Sequence, residues 1–297
     1  MGCVRVVPMF YIFAIGSMLG YAVQQTLLVH HARRIDGLSL AFYRNISFTV
    51  TLLPLLLGST AQDFRTILSH WQLLMASGFS GAIYLALLFA SYKFLPVGVG
   101  TSISRALSTI SIAVFGWVLF GENLSLPSIG VIAIILLGTL LLGLQHKRLP
   151  HLDSRFAVGL LLVFAGAIPV AFLSYVLAFL SRQASPLVSG YFWEISIAIA
   201  CGILLLVRSV LLKQKIQKID GRTFLIIATC SAPTLIGTGC MSLAAQVGPI
   251  GIANAIGSGL LVVSALLARF LYHEKLERGQ WVSIALILAG IVGLRFV

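Results

Sequence analysis

Ten apolar runs, at residues 7–29, 38–58, 71–94, 97–120, 127–144, 156–180, 186–207, 224–247, 249–271 and 281–297, decide what this chain can fold into. Crossing the hydrocarbon of a bilayer takes about 20 apolar residues per helix, and a spanning segment must bond its backbone polar groups internally. The runs approach or exceed that length. They lack the period-two alternation that the strands of a membrane barrel would show. Only 9% of residues are charged and the mean hydropathy is +1.04, which leaves too few charges to clothe a soluble surface. The chain reads as an all-α membrane protein with ten transmembrane helices.

The runs fall into two sets of five. Pro96-Val97-Gly98-Val99-Gly100 in the first set returns as Pro249-Ile250-Gly251-Ile252-Ala253 in the second. Each copy leads to an acidic turn, Gly121-Glu122-Asn123-Leu124 and then His273-Glu274-Lys275-Leu276. Each turn leads to a similar core, Ile134-Ile135-Leu136-Leu137-Gly138 and then Leu286-Ile287-Leu288-Ala289-Gly290. A duplication of this kind implies two five-helix repeats, at 7–144 and 156–297, with residues 145–155 as a polar linker. An odd number of crossings per repeat makes the second copy enter from the opposite face, so the repeats are inverted.

The net charge of +12 raises a nucleic-acid reading that the placement of the charges rejects. Let face A be the side holding both termini and face B the other. Thirteen of the 20 Lys and Arg fall on face B, four on face A, and Arg44, Arg105 and Arg269 lie within runs. Such asymmetry sets orientation, and it places face B in the cytoplasm and both termini outside. A bacterial inner or other plasma membrane is the expected location. Cys3, Cys201, Cys230 and Cys240 have neither metal nor redox spacing and read as small packing residues.

The segments Ala90-Ser91-Tyr92-Lys93-Phe94-Leu95-Pro96-Val97-Gly98 and Gly121-Glu122-Asn123-Leu124-Ser125 resemble the EamA-type branch of the drug/metabolite transporter superfamily. Gly138, Tyr43-Arg44, and the second-half echoes Pro249-Ile250-Gly251, Glu274-Lys275-Leu276 and Gly290 extend the resemblance over nearly the whole chain. It implies an inverted-repeat carrier of small organic molecules, often an exporter of amino acids or other metabolites. Members of that family are usually drawn with both termini in the cytoplasm, opposite to the charge count here.

Ionisable groups inside a bilayer are costly and usually face a cavity or a partner. Aligning the second span of each half sets Tyr43-Arg44 on Trp193-Glu194, a cation in one copy against an anion in the other. At 1.5 Å per residue, Arg44 lies about 9 Å and Arg105 about 12 Å from face B, with Glu194 about 12 Å from face A. In a core of about 30 Å this leaves a gap of about 6–9 Å. Arg44 and Arg105 can hold a carboxylate, because a guanidinium fork donates two parallel bonds. Glu194 can hold an ammonium group or carry a proton. Gln25, Tyr84, Trp193 and Asn254 complete the expected substrate site, Gln25 near the arginines and Asn254 near Glu194, in two polar vestibules around a drier waist. The plainer readings are snorkelling arginines, a structural Arg44–Glu194 bridge and aromatics that only pack. Glu122 and Glu274, at the membrane edge, read as helix-end or architectural residues.

An intramembrane enzyme would show a catalytic constellation within the runs, yet every Asp lies in a loop and all six histidines lie at or beyond run ends. No metal site, nucleotide loop or other cofactor motif is present, and no filter-like glycine repeat suggests a channel. The expected partners are a small-molecule substrate, zwitterionic by the chemistry of the site, and the lipid bilayer, with the protein a monomer or weak homodimer. A translocase of lipid precursors or lipid-linked sugars is the alternative.

Overall fold

The computed structural model describes residues 8–32, 35–144, 154–272 and 276–296. Most of the linker, the turn at 273–275, Cys3, Arg5, Arg33, Arg34 and Val297 lie outside them. The described residues form thirteen α-helices and no strand. The first half holds α1 (Pro8–Ala32), α2 (Gly37–Thr51), α3 (Ala61–Ser69), α4 (Trp71–Ser91), α5 (Val97–Phe120) and α6 (Leu126–Leu144). The second holds α7 (Ser154–Gln183), α8 (Pro186–Leu211), α9 (Gly221–Ser231), α10 (Thr234–Val247), α11 (Ile250–Gly257), α12 (Leu260–Tyr272) and α13 (Arg278–Gly293).

Seven stretches are long and apolar enough to cross a membrane: α4, α5, α6, α7, α8, Gly221–Val247 and Ile250–Leu271. Two of the other three apolar runs form helices shorter than that measure requires. Regular α2 stops at Thr51, and Pro54 passes the chain through a 3-10 turn at Leu53–Leu56. α13 has 16 residues.

Two of the long stretches are broken. Pro233 separates α9 from α10, because it supplies no N–H to continue the ladder. Ser258 and Gly259 separate α11 from α12 in tight turns bonded to Ala255 and Ile256. Pro169, by contrast, sits inside an unbroken α7. α3 is amphipathic and short. A capping box between Thr60 and Asp63 starts it, and Phe64 packs edge-on to Phe192 of α8.

Packing crosses between the halves. α1 lies against α10 and α12, α4 against α7 and α8, α5 against α7 and α11, α2 against α8 and α9, and α6 against α13. At Gly20 the backbone of α1 meets that of α10, and a Cβ there would come within 2.9 Å of the Pro233 carbonyl. Small residues permit such approaches where lipid supplies no hydrophobic force between helices. The largest buried cluster, around Phe10, Ile112, Ile135, Leu177, Ile256 and Ile287, draws on both halves.

Candidate functional site

α2 begins at Asp36, whose carboxylate accepts from Ser39 N at 3.2 Å and from Ser39 Oγ at 3.0 Å. Two turns on, this helix presents Arg44 and Asn45 to a cavity of about 270 Å³. α1 brings Tyr21, Gln24 and Gln25 to the same hollow; α4 brings Tyr84, with Tyr92 just past its end; α5 brings Arg105 and Ser108. The second half contributes Trp193 and Glu194 from α8, Met241 from α10 and Asn254 from α11. All seven residues picked out in the sequence therefore line one space. The first-half wall comes from the later part of α1 and α4 and the earlier part of α2 and α5. The hollow thus lies toward the α1–α2 and α4–α5 connections, at face B.

Glu194 is 2% exposed, and Thr238 Oγ1 donates to its Oε1 at 2.8 Å. Thr238 has one proton, so the Tyr21 hydroxyl, 2.9 Å away, donates to Thr238. This chain ties the carboxylate to α10 and α1. Arg44 leans over Phe48 of its own helix at 5.1 Å, and its Nε is buried without a partner. Neither Arg44 nor Arg105 forms an ion pair among the described residues. Asn45 is fully buried with both amide atoms unpartnered, as is the hydroxyl of Ser108. Buried polar atoms are nearly always bonded. Of the nine orphaned side-chain atoms among the described residues, four belong to residues lining this cavity. The other five are on Thr139, Ser181, Arg208, Ser231 and Thr234, away from it.

Among the described residues Arg44 and Glu194 form no direct bridge, so that plainer reading does not hold. The two groups expected in separate vestibules line the same cavity. Depths counted along helix axes neglected the reach of arginine, so Arg44, Arg105, Glu194 and Asn254 share one hollow. Tyr175, Tyr191 and Gln246, polar residues that the sequence places toward face A with Glu194, do not line it. Tyr175 instead stacks with Phe120 at 4.9 Å, and the Tyr191 hydroxyl donates to the Thr49 carbonyl. Three chosen residues also have protein partners. Trp193 Nε1 donates to Leu173 O at 2.9 Å, Asn254 Nδ2 to Ile250 O at 3.0 Å, and the Tyr84 hydroxyl meets Ser104 Oγ at 3.3 Å. Tyr21, Tyr92 and Thr238 were missed. The spacing Ser231, Thr234, Thr238, Ser242, one polar residue per turn on a single face, could have revealed Thr238.

Toward face A the two halves are joined by a second charged centre. α5 ends at Gly121, whose φ of +64° suits a residue without a Cβ, and the N–H groups of Gly121 and Glu122 turn back onto Trp117 O and Gly116 O. That turn aims Glu122 across the interface between the halves. Arg182 Nη2 pairs with Glu122 Oε1 at 2.6 Å, and Ile250 N donates to Glu122 Oε2 at 3.1 Å. Arg182 also donates to Ala245 O and Gly248 O and lies 4.0 Å over the Phe120 ring. The helix-end reading of Glu122 fits, since it caps α11, but its partner is in the other half. Glu274 lies outside the described residues.

Among curated proteins, none matches this sequence. One solved structure, described only as the crystal structure of a protein, superposes with a TM-score of 0.75 over 96% of this chain and 97% of its own, at 15% identity. That likeness establishes the fold. The sequence pattern of the EamA-like transporter family matches residues 8–144 and again 157–296. With two copies of that pattern filling nearly its whole length, the chain belongs to the EamA-like transporter family.

Proposed function

We propose that the protein is a secondary carrier of small organic metabolites such as amino acids, working by alternating access between two inverted halves. Its ten spans are α1, α2 with the following 3-10 turn, α4, α5, α6, α7, α8, α9–α10, α11–α12 and α13. The halves are 7–144 and 156–297, joined by the linker at 145–155. The packing between the halves supports the pairing, because exchanging the halves maps its main contacts onto one another. α1 on α10 corresponds to α7 on α4, α2 on α9 to α8 on α4, and α1 on α12 to α7 on α5. Contacts of α2 with α8, α5 with α11 and α6 with α13 map onto themselves.

The observation that carries the reading is the shared cavity, in which unpaired Arg44 and Arg105 from one half face Glu194 from the other. A zwitterion fits this arrangement, its carboxylate on the guanidinium groups and its ammonium toward Glu194. Glu194 is also the group that exchanges a proton during the cycle, if transport is coupled. With face B cytoplasmic, the hollow is loaded from inside, which suits export. A reporter fused after Val297 tests that orientation.

The experiment is reconstitution in liposomes with a screen of amino acids and related metabolites, with and without a pH gradient. Transport of one class, lost in Arg44→Ala and Glu194→Gln, is the expected result. Full transport by both variants, inserted normally, would remove the site, and flux of lipid-linked sugars alone would replace the substrate class.

A further inference from the structure

The connection from α8 to α9 carries a cluster of positive charge that neither the cavity nor the fold uses. Lys213, Lys215, Lys218 and Arg222 are all exposed, and none pairs with a carboxylate among the described residues. The two nearest acids are already engaged. Asp220 caps α9 through Thr223 N at 3.3 Å, and Asp36 takes Arg208 at 2.8 Å.

The segment is held firmly despite having no regular structure. Gln217 Oε1 accepts from Asp36 N at 2.7 Å, and its carbonyl accepts from the Tyr43 hydroxyl at 3.0 Å. Ile219 packs into the buried cluster of Leu28, Ile35, Leu40 and Ile227. Lys213 has φ of +51°, alone among the described non-glycine residues in the left-handed region. A loop free to relax would place glycine or asparagine there. Just before it, Val210, Leu211 and Leu212 are 72%, 72% and 64% exposed, an apolar surface at the end of a membrane-length helix that acyl chains would cover. The lysines therefore stand at headgroup depth, on a fixed support, beside lipid-facing apolar residues.

We propose that residues 210–222 form a binding site for the headgroup of an anionic phospholipid, with Lys213, Lys215 and Lys218 on its phosphate and Val210, Leu211 and Leu212 against its acyl chains. Charge at this face also serves orientation during insertion, and one lysine at the end of α8 favours the helix dipole. Neither role needs a pinned loop or three lysines, and neither retains lipid.

The test is native mass spectrometry of the purified protein exposed to phosphatidylglycerol and phosphatidylcholine in turn. The wild type retains phosphatidylglycerol preferentially, and the preference shrinks as salt rises. In Lys213→Gln/Lys215→Gln/Lys218→Gln it falls by about fivefold per lysine at low salt. A control triple on the same face, Lys93→Gln/Arg155→Gln/Arg278→Gln, loses as much charge and keeps most of the preference. Equal retention of the two lipids by the wild type, or equal loss in both triples, overturns the proposal. Lipid retention is read without transport, so failure to move any amino acid leaves this result standing.

Discussion

Arg44 and Arg182 sit toward opposite ends of the same bundle and live in opposite circumstances. Arg182 bonds a carboxylate and two carbonyls across the halves and covers an aromatic ring. Arg44 has a buried Nε with no partner and faces an open hollow. One arginine is spent on holding the halves together, and the other, on the proposed reading, has its donors free for a substrate. In the proposed carrier cycle, the difference would put the seal of this conformation at face A and its substrate-binding surface toward face B. In that proposed cycle, opening at face A would part the Glu122–Arg182 pair and the contact of Phe120 with Tyr175.

If that contrast is right, the two ends answer mutation differently. Arg182→Ala leaves the carboxylate of Glu122, 11% exposed, without its cation and costs about 3–5 kcal/mol of stability. A melting curve in detergent reads this directly, and an unchanged midpoint would mean that the seal is not held there. Arg44→Ala costs at most about 1 kcal/mol, because it loses only its contact with the Phe48 ring and no hydrogen bond. It lowers transport by about tenfold to a hundredfold, the value of charged hydrogen bonds made only to substrate. A large fall in melting temperature for this variant would make Arg44 structural and erase the contrast. Asn45→Leu should go further and raise stability by about 1 kcal/mol, since two orphaned amide atoms give way to an apolar group of similar size. Its transport should drop at the same time. Gain in both would place Asn45 outside the site.

The spans and the intramembrane charges were legible in the sequence because hydropathy and the scarcity of charge in lipid are one-dimensional signals. Arg44, Arg105 and Glu194 stood out for that reason. Arg182 did not, because a single cation near a span end looks like any other rim charge. Its meaning depends on Glu122, which is brought beside it by the turn at Gly121 and by packing between halves. The same limit hid Tyr21, whose hydroxyl bonds Thr238 on a helix more than 200 positions away. Pro233 was visible as a break, whereas the kink at Ser258 and Gly259 has no proline to announce it. The single hollow was obscured because axial depth ignores where long side chains reach.

The smallest effects belong to two aspartates that tie the halves outside the membrane, one at each face. At face B, burial opposes the Asp36 charge, but bonds from Arg208 and Ser39 outweigh it and hold the carboxyl below its usual value. At face A, Thr60, through its hydroxyl and its N–H, and then Ser185 N hold Asp63 low in the same direction. A depressed carboxyl contributes stability that is present above the unfolded value and is lost as pH falls through the folded one. Asp36→Asn and Asp63→Asn therefore melt below wild type by a constant margin from neutral pH down to about 5, and the margin closes below about 4. Asparagine still caps a helix, so each substitution removes charge and spares most of the turn. Salt then separates the two ends. The Asp36 margin, below about 1 kcal/mol for so exposed a pair, shrinks as salt screens Arg208. Asp63 meets only hydroxyl and N–H groups, so its margin should hardly respond. Equal salt sensitivity at both positions would show a cation acting on Asp63 and would move a charged contact to the face A rim.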